Sequence, residues 1–129
     1  MCGITGIFGQ NLDSLLNVQV KRMTMSLLHR GPDDIGLWLN EGQTLAFGHR
    51  RLSILELSKA GHQPMQSSCG RFVMTFNGEI YNHLDIRKEL HDKFGKAHWN
   101  GNSDTETILE GFSNFGINAT IERMVGMFA

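Results

Sequence analysis

The sequence predicts a mixed α and β fold in one domain, and three observations carry that prediction. Short apolar or alternating runs of strand length recur at residues 4–8, 35–39, 44–51 and 71–77. Stretches with helical spacing lie between and after them, at 15–29, 83–93 and 104–115. The chain of 129 residues, 40% of them hydrophobic, has the size of one domain and enough apolar side chain for a core.

Each element has its own justification. ITGIF at 4–8 is an apolar run with Gly6 inside it and reads as a short buried strand. Asn11 to Ser14 offers helix caps. Leu16, Val20, Met23 and Leu27 then recur at spacings of 4, 3 and 4, which predicts an amphipathic helix over 15–29. HRGPDD at 29–34 ends it, because Pro32 keeps the residue before it out of the helical region. IGLWL at 35–39 and TLAFGHRR at 44–51 flank the polar turn 40–43 as two strands. SKAGHQPMQSSCG at 58–70 predicts a loop. In RFVMTFN at 71–77, Phe72, Met74 and Phe76 alternate with other residues, a strand pattern. A helix follows at 83–93. Ser103, three residues before Glu106, matches a capping box. It opens a helix over 104–115 with Ile108, Leu109 and Phe112 on one side, and a short helix over 119–125 follows. No internal repeat or low-complexity segment interrupts this order.

Charge and composition exclude several classes. Twelve Lys and Arg nearly balance thirteen Asp and Glu, with no basic stripe for nucleic acid and no like-charge run. The N-terminal residues lack the basic and apolar regions of a secretory signal, and no apolar run could cross a bilayer. Neither a nucleic-acid nor a membrane partner is expected. Cys2 and Cys69 have no zinc or disulfide spacing, so a reducing, cytoplasmic compartment is expected. The six histidines show no metal-ligand spacing, there is no P-loop, and no metal is expected. Cys69, in a Ser-rich loop, reads as a bystander.

Three stretches are odd as structure alone. Cys2-Gly3 puts a thiol at the second residue, and removal of Met1 would give Cys2 a thiol and a free α-amino group together. Gly48-His49-Arg50-Arg51-Leu52-Ser53-Ile54 places two arginines at a strand end. Phe76-Asn77-Gly78-Glu79-Ile80-Tyr81-Asn82 runs a strand into Asn-Gly. Each has a plain reading: a small residue, a solvated pair, and a turn dipeptide that tolerates positive φ.

Taken together they resemble a family. MCGITGIFG at 1–9, HRGPDD at 29–34, GHRRLSI at 48–54, FNGEIYN at 76–82, SDTE at 103–106 and GMFA at 126–129 run in order through the whole chain. The pattern resembles the N-terminal glutaminase domain of asparagine synthetase-type class II glutamine amidotransferases. The resemblance implies an α+β fold of the N-terminal nucleophile hydrolase type, a four-layer αββα sandwich of antiparallel sheets. It implies hydrolysis of glutamine to glutamate and ammonia through a glutamyl thioester.

The residue types suit that chemistry. A carboxamide is a poor electrophile, so the reaction needs a strong nucleophile and a stabilised oxyanion. Cys2 is the candidate nucleophile. Free thiols and α-amino groups titrate within about a unit of each other, so the amine of the same residue can relay the proton. This requires removal of Met1. By resemblance, the Asn77 amide and the Gly78 N–H form the oxyanion hole, Arg51 takes the α-carboxylate of glutamine, and Asp104 takes its α-ammonium. Arg51 is chosen over Arg50 because it directly precedes Leu-Ser-Ile. Leu52, Ile54 and Glu79 complete the implied pocket. Arg30 either helps hold the Cys2 loop or serves the turn alone. Asp104 also has a structural reading, as an acid in the first turn of a helix.

The resemblance further implies that 1–129 is a glutaminase domain incomplete at its C-terminal end, with the synthetase domain absent. That second domain would bind ATP and Mg and amidate aspartate or a related acid such as a sugar acid. No cofactor is expected in this chain, and a homodimer is compatible with the family. The alternative reading is a non-catalytic glutamine-binding or scaffolding fragment of such an enzyme.

Overall fold

The computed structural model describes residues 2–9, 15–54, 56–96 and 98–129. They are mixed α and β with antiparallel strand pairing throughout, and they divide into two compact units. The first contains residues 1–53, 62–64 and 75–77. The second contains 54–61, 65–74 and 78–129.

The first unit is a three-stranded sheet with one helix on it. β1 (Gly3–Phe8) and β2 (Asp34–Leu39) flank the central β3 (Leu45–Arg51), both antiparallel to it. The register pairs Gly3 with Arg50 and Phe8 with Leu45 on one side, and Asp34 with Arg51 and Leu39 with Ala46 on the other. Helix α1 (Leu16–Ser26) buries Leu16 and Val20 against Ala46, with Ile7, Leu37 and Leu39 packed around them. Its third buried position is Thr24, not the expected Met23, which is exposed. Thr24 sits one turn beyond Val20, and its hydroxyl donates to the Val20 carbonyl at 2.7 Å. That uses its only proton, so in the 2.9 Å contact with Thr5 on β1 it accepts. Helix and sheet approach this closely because residue 48 is glycine: a Cβ there would strike Thr24 Oγ1 and Thr5 Oγ1.

α1 ends sooner than the expected residue 29. From Leu27 onward the backbone tightens into three-residue turns, with Leu27, Leu28 and Arg30 N–H groups reaching Thr24, Met25 and Leu27 carbonyls. The candidate caps at 11–14 lie outside the described residues.

The second unit holds the remaining elements. β4 (Met65–Gln66) pairs with β5 (Val73–Met74), and β6 (Gly78–Ile80) pairs with β7 (Gly126–Phe128). Helix α2 (His83–Phe94) ends at Gly95 in the left-handed conformation, φ 69°. Helix α3 (Asp104–Asn114) is buried from Asp104 to Gly111 and packs on α2 and on α4 (Ile117–Ile121). Ile80, Ile86, Leu90, Ile108 and Leu109 form the buried apolar set. The short last helix begins and ends earlier than expected.

Two further expectations need correction. The 71–77 strand is paired only at Val73–Met74, because Thr75–Asn77 joins the first unit. Ser103 caps α3 by accepting from Thr105 N–H, but Glu106 does not close a capping box. Its carboxylate accepts instead from the Asn100 and Gly101 backbone N–H groups at 2.9 and 3.2 Å. Within the expected loop 58–70, β4 and a 3₁₀ turn at Lys59–Gly61 are formed.

Candidate active site

Strand alternation sorts the first unit's side chains onto two faces. Ala46, Gly48 and Arg50 share the α1 face of β3, while Phe47, His49 and Arg51 share the other. Asp34, Gly36 and Trp38 on β2 lie opposite Arg51, His49 and Phe47, so they share that second face. The same parity, carried one residue back from Gly3, puts Cys2 there too.

Cys2 is half-buried and lies against the peptide of Leu52. The Leu52 N–H donates to Cys2 Sγ at 3.4 Å, and the thiol faces the Leu52 carbonyl at 3.7 Å. Arg51, buried, directly precedes that peptide. Arg50 is also buried but is turned to another task. Its Nε donates to the Gly31 carbonyl at 2.8 Å and its Nη2 to the Pro32 carbonyl at 3.4 Å. Gly31 fits because a Cβ there would strike the Arg50 carbonyl. The HRGPDD turn is thus tied to β3 through Arg50. Asp33 adds to the tie, its carboxylate accepting from the Ser53 N–H at 2.8 Å.

On the second face, Phe76 precedes Asn77 and is gripped at both backbone groups. Its N–H donates to Gln63 Oε1 at 2.7 Å, and its carbonyl accepts from His49 Nε2 at 3.0 Å. A carbonyl can only accept, so Nε2 carries the proton. His49 is 1% exposed, and its Nδ1 is buried without a hydrogen-bond partner among the described residues. Burial lowers its pKa from the ordinary 6.5, and Arg51 adds to the lowering. Gln63 is placed by β2: His62 Nδ1 bonds Asp34 Oδ2 at 2.7 Å, and Gly36 leaves room for the Gln63 carbonyl.

In the second unit, Asp104 is buried at the start of α3. Its Oδ2 accepts from the Ile80 N–H at 2.9 Å and its Oδ1 from the Thr105 N–H at 2.8 Å. One carboxylate therefore joins α3 to β6, the strand that carries Gly78 and Glu79, both exposed. Gly78 is required where β6 meets β7, since a Cβ would strike the Met127 carbonyl. Ile54 is exposed. Cys2, Arg51 and Leu52 thus come together in the first unit, which also contains Asn77, and the second unit contains Gly78, Glu79, Asp104 and Ile54.

Nearby, Arg87 is a structural cation. It donates to Thr107, Gly101 and Ser103 at 2.8, 2.9 and 2.8 Å and lies 4.1 Å from the Trp99 ring centre. Cys69 is exposed, and hydrogen bonds with Ser113 and Ser67 bring its thiol down to about 7. Among the described residues no three His, Cys, Asp or Glu side chains are grouped to hold a metal, and no helix is long and apolar enough to cross a membrane.

Sequence reasoning quoted His49 and Gln63 without giving them a role. The legible signal was a histidine inside the 44–51 strand, sharing its face with Phe47 and Arg51.

Comparison with known proteins agrees with these motifs. A family described as glutamine amidotransferase domain matches residues 1–129. Asparagine synthetase [glutamine-hydrolyzing] 1 of Bacillus subtilis (strain 168) is 36% identical over 132 residues, covering 100% of this chain and 20% of the relative. Amidase chry2 of Gibberella zeae is 32% identical over 139 residues, covering 100% of this chain and 20% of the relative. Asparagine synthetase B [glutamine-hydrolyzing] of Escherichia coli (strain K12) is 35% identical over 130 residues, covering 100% of this chain and 22% of the relative. The chain spans about a fifth of the length of these curated relatives. A match over its whole length, together with the Cys2, Arg51 and Asn77 stretches, shows that the chain belongs to the glutamine amidotransferase domain family.

Proposed function

We propose that this chain hydrolyses glutamine to glutamate and ammonia, with Cys2 as an N-terminal nucleophile. The observation that carries the reading is the Cys2 thiol against the Leu52 peptide, directly after a buried Arg51 whose neighbour Arg50 is engaged elsewhere.

Removal of Met1 frees the α-amino group of Cys2. That amine takes the thiol proton as sulfur attacks the carboxamide carbon, and the carbonyl electron pair moves to oxygen. The Asn77 amide and Gly78 N–H receive the oxyanion. As it collapses, the C–N bond breaks and the ammonium proton goes to the leaving nitrogen, releasing ammonia and a Cys2 glutamyl thioester. Water then attacks the thioester, the amine takes its proton, and the C–S bond breaks. The thiol is regenerated and glutamate leaves.

Arg51 holds the α-carboxylate of glutamine as a fork. Asp104 holds its α-ammonium: each carboxylate oxygen accepts one backbone N–H and keeps a second lone pair. Leu52, Ile54 and Glu79 line the pocket. In this reading 1–129 forms a glutaminase domain of the four-layer αββα type, part of a longer cytoplasmic protein. Its synthetase domain, with ATP and Mg, uses the ammonia to amidate aspartate or a related acid such as a sugar acid.

The test is labelling with a glutamine-like diazo-ketone, followed by peptide mapping and glutamate assay. Catalytically competent protein should begin at Cys2, and the label should fall on Cys2 and be suppressed by excess glutamine. Cys69 will react with general electrophiles because its thiol titrates near 7, but glutamine should not protect it. Competent protein that retains Met1, or Cys2 labelling indifferent to glutamine, refutes the proposal. Glutamine binding without glutamate release, in protein beginning at Cys2, would instead favour a binding module.

A further inference from the structure

We infer that His49 and Gln63 are positioning residues that hold the Asn77 amide on the oxyanion by clamping the Phe76 peptide, an inference that rests on the glutaminase reading above. Phe76 immediately precedes Asn77, and the run Thr75–Asn77 lies outside every strand. Nothing regular therefore sets the rotation of this backbone. Two side chains do so instead. Gln63 accepts the Phe76 N–H at 2.7 Å, and His49 donates to the Phe76 carbonyl at 3.0 Å. Phe76, His49 and Gln63 are 5%, 1% and 7% exposed, so water does not compete for these bonds.

Both clamp residues are anchored by the sheet. His49 stands in the central strand, paired on both sides with Ile4 and Gly36. Gln63 follows His62, which bonds Asp34 of β2, and its carbonyl fits only against a glycine at 36. The rigid sheet is thereby connected to the residue before Asn77 through two hydrogen bonds of opposite direction. A donor to a developing oxyanion must be fixed beforehand, because displacement by about an ångström can cost roughly a hundredfold in rate. The Nδ1 of His49 has no partner among the described residues, and the clamp does not need one: the neutral ring with its proton on Nε2 already makes the bond.

The test uses four variants of the protein and two readouts. His49→Leu and Gln63→Met remove one bond each, while His49→Gln and Gln63→Glu keep a donor and an acceptor in place. Amide hydrogen exchange over residues 75–78 reports the clamp without reference to activity. Glutamine kinetics report its consequence. Exchange should quicken in His49→Leu and Gln63→Met, and kcat should fall about 10- to 100-fold with KM changed less than about threefold. The two conservative variants should recover most of both. If His49→Leu fails to fold, the Gln63 pair and His49→Gln carry the test. Unchanged exchange and kcat in the bond-breaking variants overturn the inference, as does a folded His49→Gln no better than His49→Leu. Wild-type protein beginning at Cys2 that shows the expected exchange but releases no glutamate overturns the glutaminase reading, and with it the catalytic consequence. The clamp itself then stands.

Discussion

At the scale of the residue, Arg50 and Arg51 separate by what their neighbours require. The Gly31 carbonyl is bonded by Arg50, and truncating that side chain leaves a buried acceptor unsatisfied. Arg50→Ala should therefore lower folding stability by about 1–3 kcal/mol, with a modest effect on glutamine KM. Arg51→Ala should raise glutamine KM much more, since loss of a buried charged contact costs about 2–5 kcal/mol. Steady-state kinetics beside denaturant unfolding distinguishes the two, and an equal or larger KM effect at Arg50 means the α-carboxylate is held by the other arginine. The order of residues in GHRRLSI pointed to Arg51, but the partners of Arg50 were not legible. They are main-chain carbonyls, which every residue offers, so no side-chain pattern marks them. His49 and Gln63 escaped for the same reason: both bind the peptide of Phe76 rather than another side chain.

At the scale of the element, α1 was legible because Leu16 and Val20 recur on its buried face, and the three strands of the first unit because apolar runs of strand length mark them. The buried strand expected at 4–8 forms, but Ile4 and Phe8 on it are exposed. What failed was detail set by tertiary contact. Thr24 replaces Met23 on the buried face because its hydroxyl finds the Val20 carbonyl and Thr5, a pairing that hydrophobic periodicity cannot reveal. The 71–77 strand read as continuous because alternation persists through Thr75–Asn77, although its backbone leaves the pairing after Met74. Glu106 matched a capping box by spacing, and the Asn100–Gly101 loop took its carboxylate. The Thr24 contact yields a prediction. A methyl at residue 48 meets Thr24 Oγ1 and Thr5 Oγ1, so Gly48→Ala must push α1 from β3 at a cost of about 1–3 kcal/mol. In a Thr24→Ala background one of the two obstructing hydroxyls is gone. The cost of Gly48→Ala should then be smaller, and the double-mutant cycle non-additive. Equal costs in both backgrounds would show that helix–sheet spacing is set elsewhere.

At the scale of the whole molecule, each unit carries an imidazole that folding makes harder to charge. His49 in the first unit and His83 in the second both have their pKa lowered from 6.5, chiefly by burial. Arg51 and His62 add to the lowering at His49 while the Phe76 carbonyl and Asp34 oppose it; Arg87 adds at His83 while Asp104 and Glu79 oppose it. Between the folded pKa and 6.5 the unfolded chain binds more protons than the folded one. Stability is therefore fully present above 6.5, falls as pH drops through 6.5, and levels off below the folded pKa. Glu89, held down mainly by its hydrogen bonds to Lys93 and Arg123, acts only below its ordinary 4.5, and Cys69, brought down to about 7 by its hydrogen bonds, adds a decline only at the top of the interval from 7 to 5. Urea midpoints measured across that interval should decline with acidification. His49 can contribute a slope of at most about 1.4 kcal/mol per pH unit. His49→Gln, which keeps a donor for Phe76 but cannot titrate, should flatten the decline, and adding His83→Gln should flatten it further. A decline unchanged in the double variant would assign the acid sensitivity to other groups.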